Sequence, residues 1–120
     1  MTPDPGARAA LLELHRRLLQ AQRVEAERFD GRMSAGALLQ AAAGDVRFGW
    51  LQELSGLISE LDQAHADDDA QARAALHDRA RALIATPDPE SAFGARYLRV
   101  LQHYPDVVFA HRDATAALAA

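Results

Sequence analysis

Apolar residues recur along this chain at the three- and four-residue spacing of an amphipathic helix, and this pattern constrains the fold more than any other feature. On a helical projection the apolar face of the clearest segment carries Trp50, Leu51, Leu54, Leu57, Ile58 and Leu61. Strand-like alternation is missing, and the longest β-like run is Val107-Val108-Phe109. The sequence therefore predicts an all-α protein.

Turn and capping residues divide the chain into five or six helices. Ser34 and Asp45 are typical N-cap residues, and Asp88-Pro89 places a cap before a first-turn proline. The predicted helices span residues 6–28, 35–43, 46–66, 70–84, 89–103 and 106–118. The connections are short, which favours a compact helical bundle.

Further expectations follow from the same pattern. Phe29 falls on one face of the first helix with Leu11 and Leu18, so we expect it in the core. The last helix carries Val107, Phe109, Ala110, Ala114 and Ala117. The segment 35–43 is apolar on nearly every side, which predicts a helix buried on several sides. The many alanines and few aromatic residues predict a modest core, and a modest core makes a homodimer plausible.

The length of 120 residues fits one domain covering residues 1–120. Asp4-Pro5 offers a cap for the first helix, and we expect residues 1–5 and 115–120 to fray. Cysteine is absent, which excludes disulfides and thiolate metal sites and suits a cytoplasmic protein.

Charge argues against two classes of partner. The net charge of −4 disfavours non-specific binding to DNA or to anionic lipid. The helix that would read DNA in a helix-turn-helix, beginning near Arg47, also carries Glu53 and Glu60, which phosphate would repel.

No stretch resembles a signal peptide or a membrane span. All 13 basic residues are arginine, as expected from a GC-rich bacterial genome.

Motifs of nucleophilic catalysis and phosphate binding are missing, so no cofactor is predicted. The best metal-binding pattern is Asp62-x-x-His65, a single copy where a carboxylate-bridged bundle site needs two. An alternative function is therefore a metal-dependent or acid–base enzyme in which these two residues act with Glu13, His15 or Glu27. The simpler interpretation places Asp62 and His65 at the surface.

Polar residues on apolar faces are the most informative candidates for function. His15 and Gln22 lie among leucines of the first helix, and Arg47 flanks the stripe that contains Trp50. A buried polar group needs a hydrogen-bond partner. These residues therefore pair across the core, lie at an oligomer interface, or line a pocket with Phe48 and Trp50 as apolar walls. We favour a non-enzymatic interaction or small-ligand-binding module, with a protein or a small molecule as partner.

Several motifs resemble those of a group of small, all-helical bacterial proteins of uncharacterised function. The matching segments are Leu14-His15-Arg16-x-Leu18-Leu19, Leu38-Leu39-Gln40, Asp45-x-x-Phe48-x-Trp50-Leu51, Leu54-Ser55-x-Leu57-Ile58 and Tyr104-Pro105-Asp106-Val107-Val108. The resemblance implies a bacterial, helical, stand-alone protein and brings no activity with it. Where the group has an acidic pair, this chain has Asp62-Gln63, so a paired-acid role is in doubt.

Overall fold

The computed structural model describes residues 5–119, and this part of the chain is all-α. Its elements are α1 (Pro5–Asp30), α2 (Ala35–Gly44), a 3-10 helix (Val46–Leu51), α3 (Gln52–Ala66), α4 (Ala70–Ala85), α5 (Ala92–His103) and α6 (Pro105–Ala119). No strand occurs within these residues. The predicted all-α bundle is confirmed, and its Cα radius of gyration is 14.6 Å.

The core lies where α1 packs on α6 and where α4 packs on α3 and α6. Every residue of the predicted Trp50–Leu61 stripe is buried, as expected from its helical spacing. Small residues complete the core at close helix contacts, including the buried Ala80, Ala110 and Ala114. The core continues to the end of α6, where Leu118 is buried and its carbonyl accepts a hydrogen bond from Arg81. Residues 115–119 therefore continue the helix where fraying was expected.

Side-chain caps fix most helix starts. The hydroxyl of Ser34 accepts from the Ala37 amide, and the carboxylate of Asp69 accepts from the Ala72 amide. The predicted start at Pro89 is wrong, because Ser91 is the cap of α5 and accepts from the Gly94 amide. Asp88 lies in the preceding turn instead, and its carboxylate accepts from the Glu90 amide. The predicted cap at Asp4 lies outside the described residues.

The predicted continuous helix over 46–66 begins with a turn of 3-10 helix. Asp45 accepts through its carboxylate from the Arg47 amide and through its carbonyl from the Phe48 amide, which tightens the first turn. In 3-10 geometry side chains three residues apart eclipse each other, so Phe48 and Leu51 share one side. Both are buried, and so is Trp50.

Two predictions of burial are wrong. Helix α2 lies at the surface with Ala41 as its one buried residue, and 74% of Leu39 is exposed. Phe29 is 84% exposed near the end of α1. Helical periodicity predicted a face for each, but no neighbouring element covers that face. Phe109 is 56% exposed, because it lies on the side of α6 opposite the buried Val107 and Ala110.

Candidate functional site

A groove with a volume of about 330 Å³ lies between α1 and α5, and we call it the Trp50 groove. Helix α1 forms one wall, α5 and Tyr104 form the other, and the 3-10 helix supplies the floor. The lining residues are Ala21, Gln22, Glu25, Ala26, Phe29, Arg47, Trp50, Arg96, Arg99, Val100, His103 and Tyr104. A mixed apolar and polar lining of this size is typical of small-ligand sites.

The floor of the groove is held rigid by a hydrogen bond across the core. The indole Nε1–H of Trp50 donates to the side-chain carbonyl of Gln22 over 2.9 Å. Both residues are buried, with 9% of Trp50 and 5% of Gln22 exposed. The Phe93 ring lies 5.7 Å from the indole on the core side. The pairing across the core that the sequence suggested for Gln22 is therefore present, and it fixes the orientation of the indole.

Arg47 lines the groove, but acids neutralise its charge. Its guanidinium donates to Asp45 and to Asp30, each at 2.6 Å. These hydrogen bonds raise the pKa of Arg47 and hold the pKa of Asp45 below its usual value. Arg47 therefore links the end of α1 to the 3-10 helix and restricts the movement of these two elements near Trp50.

Helix α5 brings further positive charge to the groove, and the charge of Arg99 contributes to the lowered pKa of Glu25. Arg96 and Arg99 are both exposed, and neither forms an ion pair with any residue between 5 and 119. His103 follows on the same wall one turn later.

Glu25 is the one acid among the lining residues, and it already has partners. The Tyr104 hydroxyl donates to its carboxylate at 2.6 Å, and Arg28 lies 3.6 Å away. The hydrogen bond from Tyr104 is the main reason that the pKa of Glu25 is lowered. Glu25 therefore remains ionised and joins α1 to the far wall at Tyr104.

The other two residues that were predicted to line a pocket, His15 and Phe48, lie outside the Trp50 groove. His15 and Phe48 line a second, more apolar groove of about 290 Å³ between α1, α2 and the 3-10 helix, together with Leu19, Leu39, Ala42, Ala43, Leu51, Gln52 and Ser55. Burial lowers the pKa of His15. The structure thus brings together Gln22, Arg47 and Trp50 and separates them from His15 and Phe48.

The metal candidates are not brought together with further ligands. Asp62 forms an ion pair with Arg8, which lowers the carboxylate pKa, and His65 is exposed. No cluster of three or more His, Asp or Glu side chains suited to a metal occurs among residues 5–119. The acids that the alternative function needs have other partners, since Glu13 binds two arginines and Glu27 accepts from the Met33 amide. The metal-dependent enzyme stays a prediction without structural support.

Arg96 and Arg99 on α5 were not predicted as site residues, although the sequence contains a signal for them. Helix α5 contains Arg96 and Arg99 but no Asp or Glu, whereas most arginines of this chain have acids close by in sequence. Arginines without an acid at the i±3 and i±4 positions keep their charge available. Phe29 was also missed as a rim residue, because its helical position placed it with the core.

Comparisons of the chain with family models, curated proteins and solved structures gave no match. The resemblance to small bacterial helical proteins therefore stays a prediction. Among the described helices, none combines the length and the apolar character needed to cross a membrane.

Proposed function

We propose that this chain is a non-enzymatic module that binds a small molecule in the Trp50 groove. The observation that carries the proposal is the Trp50 indole, fixed by Gln22 as the floor of a groove of about 330 Å³. An aromatic surface held in one orientation loses little conformational freedom when a ligand contacts it. Apolar walls with a few placed polar groups are the usual composition of such sites.

The same geometry favours binding over catalysis. A general base works best when its pKa lies near the working pH. The pKa of Glu25 is lowered by Tyr104 and by neighbouring positive charges, which makes this carboxylate a weak base. Arg47 is engaged by Asp45 and Asp30, so its part in the site is structural.

Native mass spectrometry of protein taken gently from a bacterial host tests this proposal. We expect the wild type to carry one small organic species and Val100→Trp to lack it, because an added indole would fill the groove. Val108→Trp, at an exposed position on α6, is the matched control and should keep the species. A bare wild-type mass, or a species retained equally by Val100→Trp, would count against the proposal; circular dichroism confirms that each variant is folded.

We also propose that the protein forms a homodimer through the exposed side of α2. This helix has no charged residue, and the exposed Leu39 and Val46 extend its apolar surface. In a two-fold dimer a patch faces its own copy, so an uncharged patch avoids like-charge repulsion in a chain of net charge −4. Sedimentation velocity should show a dimer that Leu39→Lys with Val46→Lys converts to monomer, whereas Val108→Lys leaves it intact. A monomeric wild type at high concentration would contradict the dimer.

A cytoplasmic location in a bacterium is proposed on composition alone. The absence of cysteine fits a reducing compartment, and the exclusive use of arginine fits a GC-rich genome.

A further inference from the structure

We propose that the ligand of the Trp50 groove is a small organic acid. Its anionic group would be bound by Arg96 and Arg99, and its apolar body would lie against Trp50. This inference rests on the proposed ligand-binding function and adds the chemical class of the ligand. Three features of the groove carry it: its unbalanced charge, its apolar walls and its size.

The charge balance of the groove favours an anion. Arg47 is neutralised by Asp30 and Asp45, and Glu25 is engaged by Tyr104 and Arg28. Arg96 and Arg99 are left: within residues 5–119 neither forms an ion pair, and Arg99 acts on Glu25 through its charge without a hydrogen bond. The groove thus has an excess of positive charge, whereas the whole chain has a net charge of −4. An anion can therefore form charge-assisted hydrogen bonds here without displacing an internal partner.

The walls below the arginines suit an apolar body. Trp50 forms the floor, and Ala26 of α1 and Val100 of α5 add apolar surface to the walls. Phe29 stands at the rim with 84% of its surface exposed, and a ligand lying beneath it would remove part of that apolar surface from water. A purely inorganic anion would leave these surfaces unused.

The volume limits the size of the occupant. About 330 Å³ lies at the lower end of the range for small-molecule sites, which is about 300–1,000 Å³. A groove of this size fits a compact acid better than a polymer. A cationic ligand is disfavoured by two unpaired arginines on one wall.

Fluorescence titration with three probes of similar size tests the inference. Cyclohexanecarboxylate, cyclohexylmethanol and cyclohexylmethylamine share one apolar ring and differ in the charge of the head group. None absorbs where tryptophan does, and Trp50 is the only tryptophan of the chain, so its emission reports the groove. We expect the acid to bind about tenfold more tightly than the alcohol, and the amine to bind most weakly.

Variants of the two arginines test whether the preference for the acid over the alcohol comes from α5. Arg96→Gln and Arg99→Gln should each weaken acid binding about threefold and leave alcohol binding unchanged, because each removes one of the two charge-assisted partners that together give the roughly tenfold preference. Arg112→Gln changes the net charge equally at an exposed site on α6 outside the groove, and should bind as the wild type does. All three positions are exposed, so the variants should fold.

The possible outcomes separate the two proposals. Equal affinity for the acid and the alcohol would overturn the organic-acid inference and leave the ligand-binding function standing. Acid binding that survives the Arg96→Gln, Arg99→Gln double variant would also overturn it. No change in Trp50 emission with any of the three probes would count against both proposals.

Discussion

At the scale of single residues, Gln22 determines how Trp50 is presented to the groove. It is a buried amide on a helix face otherwise made of leucine and alanine, and its carbonyl satisfies the only polar atom of the indole ring. The bond joins residues 28 positions apart, from α1 to the 3-10 helix. Gln22 thus contributes to the stability of the fold and to the geometry of the site.

Gln22→Ala should lower the free energy of unfolding by about 1–3 kcal/mol, because it leaves the buried indole N–H without an acceptor. Urea unfolding followed by circular dichroism measures this loss. Gln20→Ala, at an exposed position of the same helix, should be nearly neutral. Equal stability of the two variants would mean that the Gln22–Trp50 bond does not stabilise the fold.

A pair formed by buried Tyr97 and partly buried His111 makes stability depend on pH. The hydroxyl of Tyr97, which has no exposed surface, lies 2.5 Å from Nδ1 of His111. If Tyr97 donates, Nδ1 must be unprotonated, which matches a neutral imidazole with its proton on Nε2. Burial lowers the pKa of His111 and raises that of Tyr97, so the folded protein favours both groups in their neutral forms.

Stability should therefore fall as the pH drops below the ordinary histidine pKa of 6.5. Below that pH the unfolded chain binds a proton that folded His111 resists, so the stabilisation is complete above 6.5 and is lost on acidification. His15 and His77 shift in the same direction because of burial. Urea unfolding between pH 7.5 and 5 should show a shallower dependence in His111→Gln, which keeps an acceptor for Tyr97. An unchanged slope in His111→Gln, matching that of the exposed control His65→Gln, would refute the assignment.

At the scale of elements, the turn before α5 packs against the first turn of that helix. Gly94 is buried there, and a Cβ added to it would lie 1.8 Å from the carbonyl oxygen of Asp88. The Asp88 carbonyl also accepts from the Ser91 hydroxyl and amide, which fixes its position. The position of the arginine-bearing helix therefore depends on a glycine.

Gly94→Ala should destabilise the fold by about 3 kcal/mol, because the contact is with backbone that cannot rotate away. Gly56→Ala is the matched control within a helix, since a methyl group there would have nothing within 4 Å and alanine should add about 0.5–1 kcal/mol of stability. Thermal unfolding followed by circular dichroism compares the two. A Gly94→Ala protein as stable as the wild type would show that the turn can move away from α5.

The elements whose position the sequence predicted well have either a periodic stripe or a cap. The stripe from Trp50 to Leu61 runs through the 3-10 helix into α3, and Ser34 caps the start of α2. The 3-10 geometry of residues 46–51 was not predictable. It depends on hydrogen bonds from the Arg47 amide and guanidinium to the Asp45 carboxylate, and such local side-chain bonds compete with regular helical bonds. The exposure of α2 was also missed, since periodicity describes a helix face but does not determine whether another element covers it.

At the scale of the whole molecule, the candidate site was predicted in part. Gln22, Arg47 and Trp50 meet in one groove, whereas His15 and Phe48 face a different one. The reason is geometric: His15 and Gln22 are seven residues apart on α1, about 10 Å along the axis, which is enough to place them beside different neighbours. That α5 lies beside Trp50 could not be predicted from the sequence, because Arg96 and Arg99 lie more than 45 positions from Trp50 along the chain.

Chemical-shift mapping of ¹⁵N-labelled protein with a library of small acids, bases and neutral compounds tests the central claim most directly. Trp50 gives the only indole N–H resonance of the chain. If the Trp50 groove is the ligand site, the compounds that bind should move this resonance and the Val100 amide, and acids should dominate among them. The amides of Leu39 and Ala42, in the second groove, should stay in place. Shifts concentrated at Leu39 and Ala42, with an unmoved indole, would contradict the account.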